Sequence, residues 1–107
     1  MMETQQMDQS VNVFGEQLES CNENPLTGFF RDGCCNTSDQ DTGSHTVCVE
    51  ASQEFLEFSR RWCLCAARWL EAHQQGMAPR IYLTRTHQRA LEIVPMELLR
   101  EYAVDLN

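Results

Sequence analysis

Nine residues, "GFFRDGCCN" at 28–36, place a cation, a carboxylate, two glycines and two adjacent cysteines within one short stretch. A thiol is a weak nucleophile until it loses its proton, and a neighbouring cation favours the thiolate. Arg31 supplies such a charge beside Cys34 and Cys35. A proton acceptor completes the chemistry, and His45, preceded by Gly43 and Ser44, is the nearest histidine along the chain. The Asp32-Gly33 pair is a turn former whose backbone N–H groups can hold an anion. The expected site is therefore a thiolate at Cys34 or Cys35 with His45 as base. Arg31, Asp32, Gly33 and Ser44 would form the ligand-binding surround. Adjacent residues point to different sides, so at most one of the two cysteines can face a cleft. An ion pair between Arg31 and Asp32 that merely locks the loop is an equal alternative.

The remaining cysteines carry weaker signals. Structural zinc sites favour paired C-x-x-C units, and the chain has none. It has Cys34-Cys35, His45-x-x-Cys48 and Cys63-x-Cys65. On a strand, His45 and Cys48 would lie on opposite faces, while Cys63 and Cys65 would share one. Buried packing is the leading reading for Cys48, Cys63 and Cys65, with a metal site as the lesser one. No metal and no other cofactor is expected. His73 and His87 read as helix-surface residues.

The elements that must position these residues follow from pattern and punctuation. Residues 1–10 read as a loosely held tail and 11–107 as a single domain. Val11–Phe14 reads as a short strand ended by Gly15, and 20–43 as a long loop pinned by Phe29 or Phe30. A strand is expected over 45–50 and a helix over 52–59. A central strand over 62–66, buried on both faces, should follow. Next come a helix ended by Gly76, a strand over 80–84, a helix capped by Thr86, and a last helix opened by Pro95. The fold class is α+β, a small mixed sheet with helices packed against it.

The chain has 16 acidic and 8 basic residues, a formal net charge of −8, and every basic residue is arginine. Such a surface repels phosphate backbones and anionic lipids, so nucleic acid and membranes are not expected as partners, and a small molecule is. No apolar run reaches the length of a membrane span, and the first residues lack the pattern of a signal peptide. A cytoplasmic protein is expected, with its six cysteines reduced. Carboxylate excess without lysine suits a salt-rich, halophilic interior as well as it suits a biased base composition.

The segments "NPLTGFFRDGCCNT", "GSHTVC", "FLEFS" and "RWCLCAARW" together resemble an uncharacterised family of small bacterial proteins, a domain of unknown function, from Asn12 to Tyr102. The resemblance implies no activity. It places Arg31, Asp32, Cys34, Cys35, His45, Cys63 and Cys65 in the family's signature segments. A non-enzymatic structural or interaction domain stands beside the thiol reading, and a metal-binding domain is third.

One junction looks physically short. The helix ending near Ser59 passes to a buried strand at Trp62 through only Arg60 and Arg61, which supply no turn chemistry. The family that the chain resembles carries a longer Gly- and Pro-containing segment there. The two arguments together predict that residues are missing near 60–61, a mobile flap, with a Cα separation beyond the roughly 3.8 Å of a trans peptide.

Overall fold

The computed structural model describes residues 7–23, 26–50 and 61–106. The expected helix over 52–59 and the junction at Ser59 and Arg60 lie outside the described residues. Two strands pair antiparallel, β1 (Val47–Glu50) and β2 (Arg61–Leu64), with Val47 opposite Leu64 and Cys48 opposite Cys63. Two helices follow, α1 (Ala66–Gln74) and α2 (Met96–Glu101), with short 3-10 turns at Leu83–Arg85 and Gln88–Glu92 between them. This is a small mixed α+β fold.

Period-two alternation divides β1 between two cores. Val47 and Val49 face an apolar cluster with Ala66, Trp69, Ile81, Leu83, Val94 and Leu99, against which Trp62 and Leu64 of β2 also pack. Cys48 and Cys63 face the opposite way, into a second cluster with Cys21 and Cys35. β2 is not the doubly buried central strand that its composition suggests. Trp62 and Leu64 are only half-buried, and the strand stops at Leu64. Cys65 is the N-cap of α1 rather than a strand residue.

Helix α1 packs through Ala66 and Trp69, and Trp69 Nε1 donates to the Pro79 carbonyl at 3.0 Å. Gly76, with φ at 73°, turns the chain away just beyond, as expected of a glycine past a helix end. Pro95 opens α2, and Leu99 on that helix is fully buried. Tyr102 stands edge-on to Trp69 at 4.9 Å, and its hydroxyl meets His73 Nδ1 at 2.8 Å.

The expected strands at 11–14 and 80–84 reduce to single bridges. Val11 pairs with Gln17 and Asn12 with His87, while Ile81 pairs with Val49 and Ala103. Tight turns win over extension at both places: Gly15 sits at φ 80°, and the chain enters a 3-10 turn at Leu83. Part of the expected tail is held. Asp8 N–H donates to the Thr37 carbonyl at 2.8 Å, and the Asp8 carboxylate pairs with Arg89 at 2.7 Å. His87 is buried rather than on a helix surface. Among the described residues, no helix is long and apolar enough to cross a membrane.

Candidate functional site

A cleft of about 200 Å³ is lined by Gly28, Phe29, Arg31, His45, Trp62 and Cys63. Its wall is the 26–36 loop, shaped by three left-handed residues, Gly28 (φ 103°), Arg31 (φ 55°) and Gly33 (φ 88°). A Cβ at Gly28 would collide with the Cys34 carbonyl, so the loop needs glycine there for space as well as for its backbone angle. Gly33 anchors the loop base: its carbonyl accepts the N–H groups of Cys21 and Asn22 at 2.7 and 3.1 Å. Thr27 reaches β2, its hydroxyl accepting the Cys63 N–H at 3.0 Å. Phe29 and Phe30 are each half-buried, edge-to-face at 5.1 Å, so neither is the fully buried plug expected from sequence.

His45 is the chemically best-placed group in this cleft. Its Nδ1 lies 2.7 Å from Asp41 Oδ1, and its backbone N–H donates to Asp41 Oδ2 at 2.8 Å. The Asp41 side chain is 1% exposed, and Thr37 Oγ1 donates a further bond to Oδ2 at 2.9 Å. A buried carboxylate that accepts three bonds holds the ring and assigns the proton to Nδ1. In the neutral ring that leaves Nε2 as an acceptor. The Phe29 ring stacks beside the imidazole, with centroids 6.3 Å apart. Ser44, at φ 57°, bends the chain between Asp41 and β1. Its carbonyl accepts the Ala66 N–H at 2.8 Å, so the 41–46 turn is tied to the start of α1.

Arg31 is exposed and its guanidinium lies 5.8 Å over the Trp62 ring, on the same cleft as His45. Asp32 turns away to cap its own loop, accepting the Cys34 N–H at 3.1 Å and the Asn36 amide at 2.9 Å.

The cysteines depart most from expectation. Four of the six are paired: Cys21 with Cys48 and Cys35 with Cys63, with Cα separations of 5.8 and 5.4 Å. Only Cys34 and Cys65 are free. Cys35 is therefore not available as a thiolate, because its sulfur is bonded to Cys63. Cys34 is free but poorly suited to attack: burial pushes its thiol up, and the carboxylates of Asp32 and Glu23 push it further in the same direction. The activation expected from Arg31 is not found, since the charged groups acting on the thiol are these carboxylates. Cys65 donates to the Gly43 carbonyl at 2.6 Å. Of the expected site residues, the structure thus brings Arg31 and His45 onto one cleft. It seats Asp32, Gly33 and Ser44 as loop supports and leaves Cys34 off the lining.

Two residues of consequence escape a motif reading. Asp41 lies four residues before His45, a spacing that could have been weighed as a histidine orienter. Cys21 stands alone in polar loop sequence, with only the even cysteine count to hint at a partner.

No curated protein matches the chain. A family model, however, matches most of it, in two stretches covering residues 11–61 and 59–103. With its loop-walled cleft and paired cysteines, the chain belongs to a family described as an uncharacterised protein conserved in bacteria, DUF2237.

Proposed function

We propose that the cleft is an acid–base site for a small anionic ligand. The observation that carries this reading is the Asp41–His45 pair at 2.7 Å, opening onto a cleft that also holds Arg31. The division of labour follows from the chemistry. Arg31 binds the anionic group, as a planar guanidinium suits carboxylate or phosphate. Asp41 and Thr37 hold the His45 ring, and Nε2 accepts a proton from the bound molecule or returns one. A volume of about 200 Å³ is smaller than a drug-sized pocket, which supports a ligand no larger than a simple organic acid or phosphate ester. The thiol mechanism is set aside, since Cys35 is bonded and the Cys34 thiol is pushed up.

The experiment is a ligand-observed NMR screen of small carboxylates and phosphate monoesters, read together with the His45 ring signals. Binding that moves those signals and is lost in both Arg31→Ala and His45→Ala supports the site. If no anion perturbs His45, the cleft is a by-product of loop packing, and the reading of the domain as structural takes precedence.

A further inference from the structure

We propose that Cys21, Cys35, Cys48 and Cys63, once reduced, form a tetrathiolate site for a single zinc ion. The inference is independent of the cleft chemistry and shares only Cys63 with it. Its first support is position. The sulfurs of Cys21, Cys35 and Cys63 lie within 4.8 Å of one another, and Cys48, bonded to Cys21, stands directly opposite Cys63 across the β1–β2 ladder. Four zinc–sulfur bonds of about 2.3 Å require mutual sulfur separations of roughly 3.8 Å. Cys48 lies outside that three-sulfur group, and once the Cys21–Cys48 bond opens its side chain would turn from β1 toward the other three to complete the set.

Burial and ligand type are the second support. All four cysteines are at most 2% exposed, and the partly buried Tyr82 packs against the cluster. Among the described residues, no carboxylate or imidazole joins the group of sulfurs. A closed all-sulfur set with no open position is the donor set of a structural zinc site.

The third support is charge. A zinc ion with four thiolates carries a net charge of −2, which burial would penalise unless cations stand nearby. The chain has only 8 basic residues against 16 acidic ones, yet two arginines flank the cluster. Arg61 and Arg85 lie over the Tyr82 ring at 5.8 and 5.5 Å. Arg61 Nε donates to the Cys21 carbonyl at 2.6 Å, and Arg85 donates to the Ser20 carbonyl at 3.0 Å. Arg85 also lies 3.9 Å from the Glu19 carboxylate, whereas the disulfide form puts no negative charge within the cluster itself.

The conversion balances with an external dithiol as reductant. Each disulfide takes up two electrons and two protons and becomes two thiols, while the dithiol is oxidised to its own disulfide. The four thiols then release four protons as the metal binds. Hairpin and loops stay clipped together in both forms, by two covalent bridges in one and by one ion in the other.

The test uses the full chain, reduced anaerobically, freed of reductant, and titrated with cobalt(II) as a spectroscopic stand-in and then with zinc. The expected result is one metal per chain by native mass spectrometry, with thiolate-to-cobalt charge-transfer absorption and tetrahedral d–d bands that zinc abolishes. Cys21→Ser and Cys35→Ser should each lose most of the charge-transfer intensity, whereas Cys34→Ser and Cys65→Ser should keep it. Circular dichroism follows folding throughout, and zinc should restore the oxidised protein's spectrum to a reduced chain that has lost it. Three results would overturn the proposal: no metal bound by the reduced chain, failure of zinc to restore the fold, or binding that depends on Cys34 or Cys65 instead.

Discussion

At the scale of single residues, Asp41 decides what the candidate site can do. A carboxylate with a 1% exposed side chain persists only if its oxygens are bonded, and Thr37 supplies a bond from outside the 41–45 turn. Thr37→Val keeps the shape and removes the donor. It should cost about 1–3 kcal/mol, the usual range for a buried polar group that loses its partner. Urea unfolding of the variant checks this, and an unchanged midpoint would mean that water replaces the hydroxyl at no cost. Cys34 gives a second residue-level expectation. With its thiol pushed up by burial and by the Asp32 and Glu23 carboxylates, it should alkylate more slowly at neutral pH than a simple thiol and speed up as the solution is made alkaline. Mass-resolved iodoacetamide labelling reads this directly, and rapid labelling of Cys34 at neutral pH would return it to the list of candidate nucleophiles. Sequence order shows Arg31 beside both Cys34 and Asp32 but not which way each points. The left-handed backbone at Arg31 sends the guanidinium over Trp62 and leaves the thiol to the carboxylates.

At the scale of elements, His87 shows how a turn residue becomes a structural joint. It is the N-cap of the 3-10 turn Gln88–Glu92. Its Nδ1 accepts the Arg89 N–H at 3.0 Å, so Nε2 carries the proton and donates to the Gln9 carbonyl at 2.9 Å. The neutral ring is fully used. Burial lowers its pKa from 6.5, opposed by the Gln9 carbonyl and then Asp8, with a lesser lowering from the Arg89 charge and a lesser raising from Glu92. A histidine whose folded value lies below its unfolded one binds more protons when unfolded, so stability is intact above about pH 6.5 and falls as pH drops toward the folded value. Thermal melts from about pH 7 to about pH 5 should show Tm falling, and His87→Asn should flatten that slope. A wild-type Tm that does not fall would exclude the linkage. The same joint explains why some elements were legible in the sequence and others were not. α1 and α2 could be read because Gly76 and Pro95 punctuate helices whose apolar spacing is regular. β1 could be read from its β-branched residues. The strands expected at 11–14 and 80–84 carry the right residue types, but their partners are single residues far along the chain, and no local pattern encodes such a bridge. His87 looked like a surface residue because its partner, Gln9, is 78 positions away.

At the scale of the whole molecule, two clamps hold together segments that local propensity would leave apart. Arg89 gathers Asp8, Asp39 and Glu92 within 2.7–3.3 Å, and these partners keep the guanidinium firmly protonated. The larger clamp is the pair of bridges. Cysteine spacing alone could not disclose it, because six cysteines permit many pairings and all six are expected, from sequence, to be reduced. Cys21–Cys48 fastens the loop to β1 and Cys35–Cys63 fastens it to β2, across sequence separations of 27 and 28 residues. In the chain-entropy account, closing a loop of that size stabilises by about 3.5 kcal/mol, against about 5–15 kcal/mol for a whole domain. The two loops interleave along the chain, so once one is closed the other starts from an already shortened ensemble, and their sum falls short of twice the single value. Removing either pair, as Cys21→Ala with Cys48→Ala or Cys35→Ala with Cys63→Ala, should therefore cost about 2–4 kcal/mol, while removing both should leave little folded protein. The two double variants should part at the cleft. Cys63 lines it and Cys35 ends the loop that carries Arg31, so loss of that bridge should free the loop and broaden the His45 ring signals, whereas loss of Cys21–Cys48 should leave those signals sharp. Urea unfolding of both double variants, with their His45 NMR signals recorded in the folded state, settles it. Sharp His45 signals in the variant lacking Cys35 and Cys63 would show that Gly33 and Thr27 hold the loop without the bridge, through their bonds to Cys21, Asn22 and Cys63 N–H.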